Sequence, residues 1–219
     1  MKTLVISDMH LTPQFEERKF LFLNKLFRSY DKIIINGDLW DGYLSSFEAF
    51  YASRWNKLFT TLQKARAIYI IGNHDARELG NTEKLHPIFE EITDQFTLTD
   101  QGKTFHIEHG HRLLPLNPEV VDVSNPSFQR GVNIMNTIER SLISVLGDKY
   151  RYVSRSFNNN IRNKARKRYS NFDMFICGHT HSQELSLKHG FANSGVVKFG
   201  LGQYLSIENG EITAHSERY

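Results

Sequence analysis

Five short segments of this chain each place metal-ligating residue types just after an apolar run. They read Asp8-Met9-His10, Gly37-Asp38-Leu39-Trp40-Asp41, Gly72-Asn73-His74-Asp75, His109-Gly110-His111 and Gly178-His179-Thr180-His181. Any one alone is an ordinary turn. As an ordered set they constrain the fold, because side chains so far apart in sequence converge only where several strands end on one edge. In open α/β sheets ligands sit beyond the carboxyl ends of the strands, and each segment falls at such an end.

The runs between the segments fit that edge. Leu4-Val5-Ile6, Ile33-Ile34-Ile35 and Ile68 to Ile71 are short and continuously apolar, as strands buried on both faces are. Phe20, Leu23, Leu26 and Phe27 give helical spacing to Phe15–Ser29, and Phe47, Phe50, Trp55, Leu58 and Leu62 give it to Phe47–Gln63. Leu85–Ile92 predicts a short helix and Thr104–Glu108 a strand. This βαβαβ order predicts a mostly parallel sheet with helices on both faces, an α/β fold.

Residues 112–170 break the pattern. A loop with Pro115, Pro118 and Pro126 precedes helical spacing at Ile134, Ile138, Leu142, Val145 and Leu146. Arg151 to Arg168 then carries Arg151, Arg155, Arg162, Lys164, Arg166, Lys167 and Arg168 with no acidic residue. We read 112–170 as a helical cap inserted within a single domain spanning 1–219. Phe172–Cys177 predicts a return to the main fold. From Glu184 on, short β-like runs separated by glycines predict antiparallel strands in a second sheet.

Composition narrows the class. A chain of 219 residues buries a full core unaided. Its one cysteine, Cys177, forms no intramolecular disulfide, which makes a cytoplasmic protein the expectation. The Met-Lys-Thr start does not read as a signal segment, and no run reaches the roughly 18 apolar residues of a membrane span. A net charge of +3 does not by itself imply nucleic acid. There is no P-loop, no Gly-x-Gly-x-x-Gly opening and no thiolate cluster.

The residue types in the segments suit metal chemistry. Asp8 and His10 share a face of an extended stretch, and so do His179 and His181. The Asp38 carboxylate has two oxygens and can bridge two cations. Asn73 offers an amide oxygen, His74 beside it can reach a phosphate, and Asp75 is the candidate to orient His74, with Asp41 supporting the loop or a histidine. Carboxylate, amide and imidazole together suit Mn²⁺, Fe, Zn²⁺ or Co²⁺ rather than Ca²⁺.

The ordered set Asp8-x-His10, Gly37-Asp38-x-x-Asp41, Gly72-Asn73-His74-Asp75, His109 and Gly178-His179-x-His181 resembles the calcineurin-like metallophosphoesterase superfamily, over nearly the whole chain. The resemblance implies a four-layer α/β/β/α sandwich and two divalent ions, Mn²⁺ foremost. One would be held by Asp8, His10, Asp38 and His181, the other by Asp38, Asn73, His109 and His179, with Asp38 bridging. It implies hydrolysis of a phosphodiester or pyrophosphate by a water activated between the ions, with His74 stabilising charge or protonating the leaving group.

The cap's size and place are similar to those of the UDP-2,3-diacylglucosamine hydrolase branch, whose insertion holds acyl chains. The best-known members of that branch carry Arg where this chain has His74. The similarity implies an acyl pocket lined by Ile134, Ile138, Leu142 and Val145. It implies basic residues, Arg151, Arg155 and Arg162 among them, that meet a diphosphate or the inner membrane face. The alternatives are a nuclease or nucleotide phosphodiesterase tracking a phosphate backbone with the same basic run, and a non-catalytic scaffold that binds another protein.

Overall fold

The computed structural model describes residues 1–76, 82–114, 125–169 and 171–219. The chain runs β1 (Thr3–Ile6), α1 (Glu17–Phe27), β2 (Lys32–Asn36), α2 (Phe47–Tyr51), α3 (Phe59–Lys64), β3 (Ile68–Ile70) and β4 (Glu91–Thr93). It continues with β5 (Gln95–Asp100), β6 (Lys103–Glu108), α4 (Pro126–Leu146), α5 (Arg155–Arg168) and β7 (Met174–Cys177). It ends with β8 (Glu184–Ser186), β9 (Phe191–Asn193), β10 (Val197–Lys198), β11 (Leu201–Glu208) and β12 (Glu211–Arg218).

Two sheets form. The first has order β10-β11-β1-β2-β3-β4, with β12 also paired to β11, and β1 to β4 are parallel. The second has order β5-β6-β7-β9-β8, with β6, β7 and β9 parallel.

Alternation along the strands sorts side chains into layers. Leu4, Ile6, Ile33, Ile35 and Tyr69 face away from the second sheet and pack with Leu23, Phe27, Leu58 and Leu62 of the α1–α3 region. Val5, Ile34, Ile68 and Ile70 point the other way, onto Phe105, Ile107 and Ile176 of the second sheet. Phe175 and Cys177 on that sheet's far face meet Ile161 and Ala165 of α5. The result is the four-layer α/β/β/α sandwich, with helices outside the pair of sheets rather than on both faces of one.

Three expectations are corrected. The run Phe47–Gln63 is not one helix: a 3-10 turn, Arg54–Leu58, separates α2 from α3. Ser53 Oγ accepts from Trp55 N and starts a new turn, and the Trp55 indole donates to Thr12 O. Leu85–Ile92 does not form a helix. Pro87 disfavours helical backbone at His86, and the chain instead reaches β4, which extends the sheet beside β3. The C-terminal strands divide between the sheets: β8 and β9 join the second, while β10, β11 and β12 join the first through β11 antiparallel to β1. Without β11, β1 would be an edge with apolar side chains on both faces; Leu205 and Ile207 continue the layer between the sheets.

Between β6 and β7, Asn125 caps α4 by accepting from Ser127 N, and Pro126 takes the first-turn position where its missing N–H costs nothing. Of the 21 residues of α4 only Ile143 is fully buried, against Tyr150, Val196 and Leu201. The expected loop at Pro115 and Pro118 lies outside the described residues.

Candidate metal centre

Each segment leaves its strand through a sharply turned backbone. Asp8, His10, Asp38, His179 and His181 have φ of 53°, 45°, 54°, 67° and 56°. Left-handed backbone costs a residue with a Cβ roughly 1–2 kcal/mol, and aspartate and histidine are among those that adopt it most readily. The loops hold one another in this shape. Asp8 N donates to Gly37 O at 3.1 Å, and Met9 N and His10 N both donate to Asp38 O at 2.9 Å. Close approach explains two glycines: a Cβ at Gly72 would strike the Asp38 carboxylate, and one at Gly178 would strike Ser7 and Asp8.

Among the described residues three groups have donor atoms within 4.8 Å of one another: Asp8 with His10 and His181, Asp38 with His109 and His179, and, toward the rim, His10 with Asp41 and His74. In the first, His10 Nε2 and His181 Nε2 lie 3.0 Å apart, and His181 Nε2 is 3.2 Å from Asp8 Oδ1. In the second, His109 Nε2 is 3.3 Å from Asp38 Oδ2. That same oxygen is 3.7 Å from His10 Nε2, so Asp38 faces both groups. Asn73 donates from Nδ2 to the Tyr43 hydroxyl at 3.3 Å.

The surrounding bonds aim the ligand atoms inward. His109 Nδ1 donates to Asn36 O at 2.8 Å, which turns Nε2 toward Asp38 Oδ2. His109 Nε2 and Asn73 Oδ1 are buried and have no hydrogen-bond partner among the described residues. An unmet buried polar atom costs about 1–3 kcal/mol, so two on one centre argue for a ligand there. Mixed carboxylate, imidazole and amide donors fit divalent cations.

Charge agrees with this fit. Burial works against ionisation of Asp8, but His181 and His109 outweigh it and hold its pKa down; for Asp38 the opposing groups are His109 and His74. Burial also works against protonation of His109, yet Asp38 lifts its pKa to about 10, and Glu139 with Asp8 does the same for His181. The carboxylates thus draw positive charge to each group. Burial is the largest influence on His10 and His179 and depresses them to about 4 and about 3.

His74 lies at the rim of the centre. Its Nδ1 is 3.0 Å from Asp41 Oδ1, and its ring packs on Tyr43 at 3.9 Å between centroids. Burial opposes its charged form, but Asp38 and Asp41 raise its pKa. The residue that orients His74 is therefore Asp41, which also lies 3.5 Å from His10 Nδ1. Asp75, expected in that role, accepts from Leu39 N and Gly72 N, both at 2.6 Å, and clamps two loops together.

Sequence reasoning missed Glu139 and Lys198. Glu139 accepts from His181 Nδ1, from the Tyr150 hydroxyl at 2.9 Å and from Lys198 Nζ at 2.6 Å. The one signal was an acidic residue, the only one in α4, beside the apolar stripe of Met135, Ile138 and Leu142.

Above the histidines opens a cavity of about 740 Å³. Its floor includes His10, His74, His179 and His181, and its walls include Phe128, Val132, Met135, Ile138 and Leu142 of α4. Ile138 and Leu142 thus lie on the cavity, while Ile134 and Val145 are exposed elsewhere on the helix. Arg151, Arg155 and Arg162 are not part of the lining. Arg151 and Arg155 are exposed and lie over the Tyr152 ring, and Arg162 pairs with Glu184 at 2.8 Å.

A family model described as calcineurin-like phosphoesterase matches residues 1–183. Among solved structures, TT1561 of Thermus thermophilus is similar at 14% identity, with 98% of this chain and 97% of that chain covered and a TM-score of 0.50. Yfce, a phosphoesterase from E. coli, is similar at 15% identity, 95% and 89% coverage and a TM-score of 0.46. A dimetal phosphatase from Danio rerio is similar at 10% identity, 100% and 96% coverage and a TM-score of 0.47. No curated protein sequence matches the chain.

Proposed function

The chain belongs to the calcineurin-like phosphoesterase family, and from that premise we propose that it hydrolyses a phosphoester or pyrophosphate joined to an apolar group, as UDP-2,3-diacylglucosamine hydrolases do. The observation that carries this reading is the apolar cavity standing directly on His10, His74, His179 and His181. Each methylene buried there contributes about 0.8 kcal/mol, whereas an exposed ion pair contributes about 0–1 kcal/mol. A few methylenes in this cavity therefore outweigh a contact with an outer arginine.

In this reading Asp8, His10, Asp38 and His181 hold one divalent ion, and Asp38, Asn73, His109 and His179 hold the second. Mn²⁺ is the favoured ion. When bound, such a pair activates water and neutralises charge on the phosphoryl oxygens. His74 presents its Nε2 to the substrate because Asp41 holds Nδ1. Held this way, it can offer a proton to a phosphoryl oxygen or to the departing oxygen. The α4 wall holds the apolar part of the substrate and excludes water beside the phosphorus.

No described helix is long and apolar enough to cross a membrane. The exposed Arg151 and Arg155 together with Tyr152, Val153 and Phe157 offer a face that would rest on an anionic bilayer, from which an acylated substrate would enter.

The test is UMP release from UDP-2,3-diacylglucosamine with Mn²⁺, beside hydrolysis of bis-p-nitrophenyl phosphate. Release that disappears in Asp38→Ala supports the reading. Hydrolysis of the aryl diester without UMP release removes the lipid substrate, keeps the two-metal chemistry and turns the search to nucleotides and nucleic acid.

A further inference from the structure

The helix that roofs the cavity also reaches into the metal centre, through one side chain. Glu139 sits in the C-terminal half of α4 and is largely withdrawn from solvent, its side chain 12% exposed. One carboxylate oxygen accepts from both His181 Nδ1 and the Tyr150 hydroxyl, and the other accepts from Lys198 Nζ. Lys198 in turn donates to Asn136 Oδ1 at 2.7 Å, one turn back along α4. These bonds join α4 to β10 and to the loop that follows β7.

Two observations give this cluster weight. Apolar packing anchors α4 thinly, since Ile143 is its only fully buried residue, so the polar anchor at Glu139 is a large share of what seats the helix. The second is orientation. His181 meets Asp8 and His10 through Nε2, so a hydrogen bond at Nδ1 fixes both the tautomer and the plane of the ring. His109 takes such support from the β2 backbone and His74 from Asp41 in a strand-end loop; His181 takes it from the roof.

We propose that Glu139 is a positioning residue that couples the roof of the cavity to the metal centre. By accepting from His181 Nδ1 it presents Nε2 to the ion, and because it is carried by α4, seating of that helix and binding of the cation stabilise each other. The proposal rests on the two-ion reading given above. It goes further in making the substrate wall and one metal ligand a single device, so that the wall is firm when the ion is in place. The coupling is reciprocal by thermodynamic necessity: the factor by which a seated α4 tightens the ion is the factor by which the ion seats α4.

The experiment uses the full chain, freed of metal by chelation and titrated with Mn²⁺ by calorimetry. Amide hydrogen exchange across α4 is followed with and without the ion. Glu139→Gln, Glu139→Ala and a double variant, Glu139→Met with Lys198→Met, are compared with the wild type. The double variant removes both partners of the ion pair, so a stranded ammonium cannot account for lost affinity.

The wild type is expected to bind two ions. Glu139→Ala and the double variant are expected to bind one of them about 10–100-fold more weakly, the usual cost of losing a ligand's supporting partner, while the other ion is held as before. Glu139→Gln, which keeps an acceptor but no charge, should fall between. Mn²⁺ should slow exchange along α4 in the wild type and not in Glu139→Ala. Folded variants with both affinities unchanged, equal weakening of both ions, or equal protection of α4 in wild type and variant would each overturn the proposal. Failure of the wild type to bind any divalent ion would overturn the metal reading itself, a result distinct from failure at Glu139.

Discussion

The floor and the roof of the cavity are built on opposite principles. The floor is made of loops at strand ends, with Asp8, Asp38 and His109 all at or below 1% exposure and five candidate ligands held in left-handed backbone by bonds from neighbouring loops. The roof is α4, whose 21 residues include one fully buried side chain and which shows Met135 at 64% exposure and Val145 at 82%. A strained loop persists only where its surroundings over-determine it. A helix with few buried contacts opens at low cost. Chemistry that needs fixed atoms thus sits on the rigid part, and recognition of a variable apolar group sits on the part that can adjust.

The largest effect should come from the floor. Asp38→Ala removes the oxygen that faces both ligand groups. Loss of one electrostatic stabiliser costs about 10²–10³-fold, and this change should cost at least that and abolish binding of both ions, as read by metal analysis and diester turnover. Retention of either ion would remove Asp38 from its shared position. His74→Ala should lower turnover by about 10²–10⁴-fold while both ions stay bound; loss of an ion would move His74 into the ligand set.

The roof should respond differently. Ile138→Glu places a carboxylate in the apolar wall, and a change of about 1–3 kcal/mol in a hydrophobic pocket is worth roughly 10–200-fold. The expected reading is a higher KM for an acylated substrate with bis-p-nitrophenyl phosphate turnover unaltered. Equal loss on both substrates would mean that Ile138 acts on the floor and not on the apolar part of the substrate. The smallest effect belongs to the outer arginines. Arg155→Ala should leave diester turnover within about twofold, since surface changes stay near ±0.5 kcal/mol. Its binding to anionic vesicles should weaken by about 1 kcal/mol, the worth of one basic residue near the surface. A large drop in turnover would place Arg155 at the substrate.

This division also explains what could be read from the chain. Strands such as Leu4-Val5-Ile6 and Ile33-Ile34-Ile35 were legible because burial on both faces demands an unbroken apolar run. The candidate ligand segments were legible because an ion accepts few residue types and because close approach of the loops needs glycine at Gly72 and Gly178. Partnerships were not. Asp41 and Asp75 both follow a strand end, and only the folded loops show that Asp41 meets His74 while Asp75 clamps backbone. The division of the C-terminal strands between two sheets depended on which edge was open, a tertiary fact. Glu139 was hidden because an acidic residue on a helix reads as solvent-facing until the helix is docked, whereas Arg151 and Arg155 do face outward, as charged residues ordinarily do.

The most direct measurement is hydrolysis of bis-p-nitrophenyl phosphate by metal-stripped protein as Mn²⁺ is returned, with bound metal counted at each step. The account predicts no turnover in the stripped protein, recovery that is complete at two ions per chain, and neither binding nor recovery in Asp38→Ala. Turnover indifferent to chelation, or full recovery in Asp38→Ala, would contradict it.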